Sequence, residues 1–235
     1  MVVKSEESSE PFQPTCSGGY EIYRKSVLRH YDWLVHGVSN ALVWRVPTRK
    51  IHRLYQQNLS DSHLEIGVGT GKFLVKHGSK DSNARLVIAD ASHDCLEWTS
   101  ERLQKKQIPL DAIVQVNFGS AQSIEIDLGR RFQSVGLNYV LHCLPGIQAK
   151  QRALEFIKFH LMPEGVLFGT TLIGVPPSHY LPARWLEKKY QKLGVFSNQE
   201  DSICSIAQLL AEHFDEVSCV PRGRAIFFRT SQPRV

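Results

Sequence analysis

A glycine-rich turn just after an acidic residue is the part of this sequence best suited to chemistry. Apolar residues lead into Glu65, and Gly67, Gly69 and Gly71 follow at alternate positions. Glycines permit positive φ, and they let a ligand approach the backbone where a Cβ would block it. A carboxylate at this point would repel a pyrophosphate but suits a cationic ligand with an amino group. The turn therefore predicts a binding loop between a strand and a helix.

Two familiar nucleotide-binding loops do not match this turn. A Walker A loop needs a glycine five residues before Gly71, where this chain has Ile66. It also needs Ser or Thr after Lys72, where this chain has Phe73. The dinucleotide fingerprint needs its third glycine one residue later than Gly71. A second acid, Asp90, ends the next predicted strand, where it can accept hydrogen bonds from both ribose hydroxyls.

The elements that must position these residues alternate between strand and helix patterns. Strands are predicted at 63–66, 85–89, 112–118, 134–140 and 166–172, and core helices at 95–104 and 149–161. Such a series implies a parallel sheet with right-handed crossovers and helices on both faces. A last pair of strands, at 214–220 and 224–230, is joined by so tight a turn that it must be antiparallel.

The sequence before this core has a different composition. Residues 1–18 are rich in Ser, Glu, Pro and Gly and are predicted to be disordered. Residues 19–60 are aromatic-rich with helical spacing, and they are predicted to form a helical cap that ends in a helix beginning near Pro47. The core domain is predicted to span residues 61–235, with a turn at 163–165.

Composition and charge narrow the function classes. With 42% hydrophobic and 22% charged residues, the chain is predicted to be soluble and globular. No apolar run reaches the roughly 18 residues that span a bilayer, and the N-terminus lacks the apolar core of a signal peptide. A cytoplasmic location without a membrane partner is therefore expected. The five cysteines form no Cys-x-x-Cys pair and no zinc spacing appears, so no metal is expected. Basic residues are scattered along the sequence, which argues against a nucleic-acid partner. The sequence does not indicate the oligomeric state.

The segment from Glu65 to Gly71, with Asp90 at the expected distance, resembles motif I of the class I S-adenosylmethionine-dependent methyltransferases. The resemblance covers about residues 20–230. It implies an α/β Rossmann-like fold with a seven-stranded, mostly parallel sheet, a C-terminal antiparallel hairpin and an N-terminal helical extension. It also implies S-adenosylmethionine as the cofactor and a small molecule as the methyl acceptor.

The same resemblance assigns the cofactor site residue by residue. Glu65 is expected to act on the amino group of the methionine part, directly or through water, and Asp90 on the ribose. The family often has an acid after the third strand; Ser120 stands there, so a backbone amide of Ser120 or Ala121 is expected to contact the adenine. The complete predicted cofactor set is Glu65, Gly67, Gly69, Gly71, Asp90, Ala91, Ser92, Ser120, Ala121 and Asn138.

The stretch that follows the fourth predicted strand bears on the acceptor. It lacks the Asn/Asp-Pro-Pro-aromatic motif of enzymes that methylate exocyclic or amide nitrogens, and no acid lies beside Asn138 to hold a metal. It resembles small methyltransferases of fungal polyketide pathways, which implies methyl transfer to an enol or phenol oxygen. His142, just past the strand end, is predicted to be the general base. The predicted acceptor contacts are Tyr31, Tyr139 and His142.

Three alternatives stay open at this point. The acceptor atom can be carbon or nitrogen on a similar small molecule. Some natural-product proteins keep this fold and pocket but catalyse cyclisation or isomerisation without methyl transfer. An enzyme that methylates RNA or protein would need a continuous basic stripe beside residues 138–146, with binding that falls steeply with salt.

Overall fold

The computed structural model of the protein describes residues 43–176 and 180–234. The predicted N-terminal tail, the first part of the predicted cap and Tyr31 lie outside the described residues. The strands are β1 (Ser62–Ile66), β2 (Arg85–Asp90), β3 (Ala112–Gln115), β4 (Phe132–Asn138), β5 (Leu161–Leu172), β6 (Phe214–Arg222) and β7 (Ala225–Pro233). The helices are α1 (Thr48–Asn58), α2 (Lys72–His77), α3 (His93–Lys105), α4 (Gly146–His160), α5 (Leu181–Lys192) and α6 (Ile203–Ala211).

The strands form one seven-stranded sheet with the order β3-β2-β1-β4-β5-β7-β6. Strands β1 to β5 are parallel, and β7 pairs antiparallel with both β5 and β6. The predicted mostly parallel sheet with a reversed C-terminal hairpin is confirmed. The strand order changes direction between β1 and β4, and ligands of open α/β sheets bind at the carboxyl ends of strands at such a switch point.

Successive side chains of β1 lie on opposite faces of the sheet. Leu64 and Ile66 pack in the apolar layer on the α4 side of the sheet. His63 and Glu65 point to the opposite side, where Tyr55 of α1 and Phe168 of β5 contact them. Because successive strand residues face opposite sides, the two polar residues share one buried face. Helix α1 lies within the range predicted as cap, and it packs directly on the sheet.

The predicted bounds of several strands differ from the structure, among them the ends of β3 and β4 and the start of β5. Strand β3 ends at Gln115 because Asn117 starts a turn, in which its backbone oxygen accepts the amide of Ser120 at 3.0 Å. Strand β4 ends at Asn138, since Tyr139 leaves the extended region with a φ of 58°. The predicted turn at 163–165 lies inside β5, where the pairing with β4 skips four residues between Leu161 and Val166. The turn residues form a bulge in a continuous strand.

Candidate functional site

The glycine loop combines tight packing with one open position. Gly67, Gly69 and Gly71 have φ values of 70°, 52° and 65°. A Cβ on Gly67 would lie 2.1 Å from Val140 Cγ2, and one on Gly71 would lie 2.4 Å from Thr99 Cγ2. A Cβ on Gly69 would meet no atom within 4 Å. The outer glycines therefore let the loop pack against its neighbours, while Gly69 borders space that a ligand can fill.

Helix α3 holds this loop in place. The hydroxyl of Thr99 donates to the backbone oxygen of Gly69 at 3.0 Å, and the guanidinium of Arg102 donates to the backbone oxygen of Thr70 at 2.6 Å. Sequence reasoning missed both residues. Their spacing of three places them on the same face of one helix, but only the packing of α3 shows that this face meets the loop.

Asp90 lies at the carboxyl end of β2, beside the open position of the loop. Its carboxylate accepts the amide of Gly69 at 3.1 Å and the amide of Ser92 at 2.9 Å. Burial raises the pKa of the Asp90 carboxyl, and these backbone N–H groups oppose the rise. The structure thus brings Asp90 and the glycine loop together. Ser92 caps α3, and the backbone oxygen of Ala91 accepts the side chain of Gln115 at 3.1 Å.

Glu65 is buried, and both of its carboxylate oxygens already accept hydrogen bonds. Oε1 accepts the hydroxyl of Tyr55 at 2.5 Å, and Oε2 lies 2.9 Å from Nε2 of His63. The amide group of Asn138 donates to the same Tyr55 hydroxyl at 2.9 Å. Sequence reasoning missed Tyr55 and His63. The strand alternation signals that His63 and Glu65 share a face, whereas no local signal indicates Tyr55.

The loop after β3 carries Ser120 and Ala121, the two residues predicted to contact the adenine. The Ser120 amide is engaged inside the turn that Asn117 starts, at 3.0 Å from that residue's backbone oxygen. Ala121 opens a short 3-10 turn and is exposed. The adenine contact predicted for Ser120 or Ala121 stays a prediction.

His142 lies past the end of β4 with 2% of its surface exposed. Its Nδ1 accepts the backbone N–H of Leu172 at 3.4 Å and lies 3.4 Å from the hydroxyl of Thr171. A neutral ring that accepts at Nδ1 carries its proton on Nε2. Burial, and then the charge of Lys150, lower the pKa of His142 to about 3. The ring is therefore neutral at ordinary pH, and its assignment as a general base stays a prediction.

Replacing His142 with Asn should make the stability of the protein less sensitive to acid. The folded pKa of about 3 lies below the unfolded value near 6.5, so the unfolded chain binds more protons as the pH falls. This contribution to stability is complete above the unfolded pKa and is lost as the pH falls toward the folded one. Urea unfolding should show the wild type losing about 2 kcal/mol more than His142→Asn between pH 7.5 and pH 5. Equal losses would mean that the pKa of His142 in the folded protein is not lowered from its unfolded value.

A row of aromatic rings runs from the end of β4 toward α5. The ring of Tyr139 meets that of His142 edge-on with centroids 6.0 Å apart. His142 meets Phe196 edge-on at 4.7 Å, and Phe196 in turn contacts Tyr190 at 4.9 Å and Trp44 at 5.9 Å. Two predicted acceptor residues, Tyr139 and His142, are thus brought together. Sequence reasoning assigned no role to Phe196.

The loop that carries Phe196, residues 194–202, is fixed by polar contacts. The Ser197 amide donates to the backbone oxygen of His142 at 2.7 Å, and the Ser197 hydroxyl accepts the Gly146 amide at 3.2 Å. Lys150 of α4 forms a buried ion pair with Asp201 and donates to the Ser197 backbone oxygen at 3.2 Å. Burial raises the pKa of Asp201, and Lys150 opposes the rise. The ion pair therefore ties the loop to the N-terminal turn of α4.

Two further findings concern metal ions and membranes. In residues 43–176 and 180–234, no three His, Cys, Asp or Glu side chains are grouped so that they could hold a metal ion. Over the same residues, no helix is both long enough and apolar enough to span a bilayer.

Comparison with protein families gives a match over most of the chain. The model of a family described as a methyltransferase domain matches residues 40–212. The matched range contains the glycine loop, Asp90 and the stretch after β4. It ends inside the segment that follows α6, so the C-terminal hairpin lies beyond it.

Individual proteins match at similar coverage. The chain is 32% identical over 204 residues to the demethylluteothin O-methyltransferase of Streptomyces thioluteus, covering 86% of this chain and 85% of that protein. It is 28% identical over 222 residues to the physcion biosynthesis cluster O-methyltransferase of Aspergillus chevalieri, covering 92% and 96%. The crystal structure of the N-methyltransferase NodS from Bradyrhizobium japonicum WM9 with S-adenosyl-L-homocysteine gives a TM-score of 0.55 at 16% identity, covering 81% of this chain and 92% of that one. At this identity the structural likeness supports the fold alone.

Proposed function

The chain belongs to the methyltransferase domain family and is an S-adenosylmethionine-dependent methyltransferase, and we propose that its acceptor is an enol or phenol oxygen of a polyketide-type secondary metabolite. The observation that carries this proposal is the row of Tyr139, His142, Phe196 and Tyr190, which starts at the end of β4. Planar enols and phenols suit such a surface, since aromatic rings favour edge-on and offset contacts. The names of the Streptomyces and Aspergillus relatives, both O-methyltransferases, agree with an oxygen acceptor.

The residues around the loop fit the cofactor. Gly69 borders open space, which gives room for a ligand against the backbone. The Asp90 carboxylate accepts the amide of Gly69 and suits a pair of ribose hydroxyls. Glu65 supplies a carboxylate two residues before the first glycine, where an ammonium group is expected. When bound, S-adenosylmethionine supplies a methyl group on a sulfonium sulfur.

The remaining task of the chain is to hold the acceptor oxygen in line with that methyl group. An acidic enol is largely ionised at neutral pH, so its oxygen carries the electron pair for the new C–O bond and needs no strong base. The electron pair of the broken C–S bond stays on sulfur. Tyr139 and Phe196 would orient the acceptor ring, and His142 would donate a hydrogen bond from Nε2 to the acceptor oxygen.

The first test is binding followed by turnover. Calorimetric titration should show binding of both S-adenosylmethionine and S-adenosylhomocysteine. Incubation with a panel of 4-hydroxy-pyrones, phenols, amines and carbon acids should then give a methylated product, detected by mass spectrometry, among the enols or phenols. Binding without any methylated product would favour a cyclisation or isomerisation activity. Methylation confined to amines or carbon acids would refute the oxygen acceptor.

Replacing Phe196 with Leu should raise KM for the acceptor about 3- to 10-fold, because an aromatic contact is worth about 0.5–1.5 kcal/mol. Affinity for the cofactor should not change, and the near-equal side-chain volume limits the loss of stability. Steady-state kinetics at saturating cofactor measures the effect. Phe159→Leu, on a ring that is 54% exposed on α4, is the matched control. An unchanged KM would remove Phe196 from the acceptor site.

A further inference from the structure

Two chains of hydrogen bonds end on the buried Glu65 carboxylate. In the first, the Thr170 hydroxyl donates to Asn138 Oδ1 at 3.3 Å, and Asn138 Nδ2 donates to the Tyr55 hydroxyl at 2.9 Å. The Tyr55 hydroxyl then donates to Glu65 Oε1 at 2.5 Å. In each of these three hydrogen bonds the acceptor is the group nearer to the carboxylate, so all of them point in the same direction.

The second chain reaches the other carboxylate oxygen. The Ser60 amide donates to the Ser134 hydroxyl at 3.0 Å, and this hydroxyl lies 2.8 Å from Nδ1 of His63. Nε2 of the same ring lies 2.9 Å from Glu65 Oε2 and donates to it, since an ionised carboxylate can only accept. Both oxygens of Glu65 therefore receive a donor. The two contacts hold the carboxylate in one orientation.

The sheet leaves a place for the carboxylate at Gly136 of β4. The register pairs Glu65 with Gly136, and a Cβ there would lie 2.2 Å from Glu65 Oε2. The same register pairs His63 with Ser134, which explains why the second chain runs between β1 and β4. The absence of a side chain at Gly136 is thus a requirement of the buried Glu65.

Aromatic packing fixes Tyr55 and links it to the glycine loop. The Tyr55 ring stacks on Phe73 with centroids 5.1 Å apart and meets Phe168 edge-on at 5.2 Å. Phe73 is the second residue of α2, which begins directly after Gly71. Burial, and then the negative charge of Glu65, raise the pKa of Tyr55 well above its usual range, so the hydroxyl keeps its proton. Tyr55, His63 and Glu65 are 1%, 1% and 3% exposed.

We propose that Tyr55 and His63 are positioning residues that hold the Glu65 carboxylate as a fixed counter-charge for the ammonium group of the cofactor. The inference rests on the expected role of Glu65 at the cofactor, and it adds the residues through which Glu65 keeps its place. It also connects Asn138, the last residue of β4, to Glu65 through the Tyr55 hydroxyl. Tyr55 and His63 do not touch the reacting atoms.

Removing the Tyr55 hydroxyl should weaken only those ligands that carry the ammonium group. In calorimetric titrations of Tyr55→Phe, Kd should rise about 10-fold for S-adenosylmethionine and S-adenosylhomocysteine. This is the effect expected when Glu65 loses one charge-assisted hydrogen bond. Kd for 5′-methylthioadenosine should stay unchanged, because it has the same adenosine and sulfur but no amino acid part. A merely structural role of Tyr55 would weaken all three ligands alike, and that result would overturn the proposal, as would three unchanged affinities.

Substitutions at His63 give a second, independent pair of variants. His63→Ala should show the same selective loss, while His63→Gln, which keeps an N–H donor, should recover most of the affinity. Tyr180→Phe removes a hydroxyl at an exposed position and should leave all three Kd values unchanged. If His63→Gln is as weak as His63→Ala, the hydrogen bond to Glu65 is not the cause and the proposal fails.

Glu65→Gln separates this inference from the cofactor assignment on which it rests. If Glu65→Gln leaves all affinities unchanged, the expected role of Glu65 at the ammonium group is wrong and the inference falls with it. If Glu65→Gln weakens S-adenosylhomocysteine while Tyr55→Phe and His63→Ala do not, Glu65 keeps its role and only the inference is wrong. In the double variant Tyr55→Phe/Glu65→Gln, the two effects should not add, because both act through the same carboxylate.

Discussion

Replacing Lys150 with Ala should lower the free energy of unfolding by about 3–5 kcal/mol, because the change strands a buried carboxylate. Lys150 and Asp201 are 4% and 6% exposed and form an ion pair between α4 and the loop at 194–202. The same ammonium group donates to the Ser197 backbone oxygen at 3.2 Å, so the variant also loses that contact. The loop should then loosen near Phe196 and His142, which lie on the proposed acceptor side.

Urea unfolding at pH 8 measures this loss, and Lys105→Ala, at an exposed position of α3, is the matched control. The loss should be smaller at pH 5, since burial raises the pKa of Asp201 and protonation removes the stranded charge. Lys150→Met combined with Asp201→Asn removes both charges and should restore more than half of the lost stability. A loss below about 1 kcal/mol would show that water solvates the pair as it does a surface ion pair.

Replacing Asp90 with Ala should weaken binding of S-adenosylmethionine by about 1–3 kcal/mol, a factor of about 5 to 150 in Kd. Two ribose hydroxyls would lose their acceptor in a site with little water. The variant also removes the acceptor for the amides of Gly69 and Ser92, so the loop itself loses support. Unlike the changes at Tyr55, this one should weaken 5′-methylthioadenosine as well, because that ligand keeps the ribose.

Calorimetric titration of all three ligands measures the effect of Asp90→Ala. Asp90→Asn keeps one acceptor oxygen and should give a smaller loss. Asp81→Ala, on an exposed turn, should leave the affinities unchanged. Unchanged affinity in Asp90→Ala would remove Asp90 from the cofactor site, even though the structure brings its carboxylate to the glycine loop.

Local sequence patterns were enough to predict the strands of the sheet and their directions. The alternating series of strand and helix patterns located all seven strands of the described sheet, and the short connection near Gly223 required the last two to be antiparallel. Two predicted strand ends, those of β3 and β4, were wrong because a local contact or a single residue ended the strand early. Tyr139 ends β4 with a positive φ, and a hydrogen bond within a turn ends β3 before Ser120. Such endings depend on individual contacts that a hydrophobic pattern does not contain.

By itself the sequence determined the parts of this protein that depend on short-range spacing. The glycine loop, Asp90 at the next strand end and the position of His142 past β4 all follow from strand, turn and helix lengths, because parallel strands bring their carboxyl ends to one edge. The tertiary structure alone decided which side chains meet across long separations in the chain. Tyr55 reaches Glu65, Lys150 reaches Asp201 and Phe196 reaches His142. These contacts depend on strand register and on how helices and loops pack on the sheet, and no local sequence pattern specifies either.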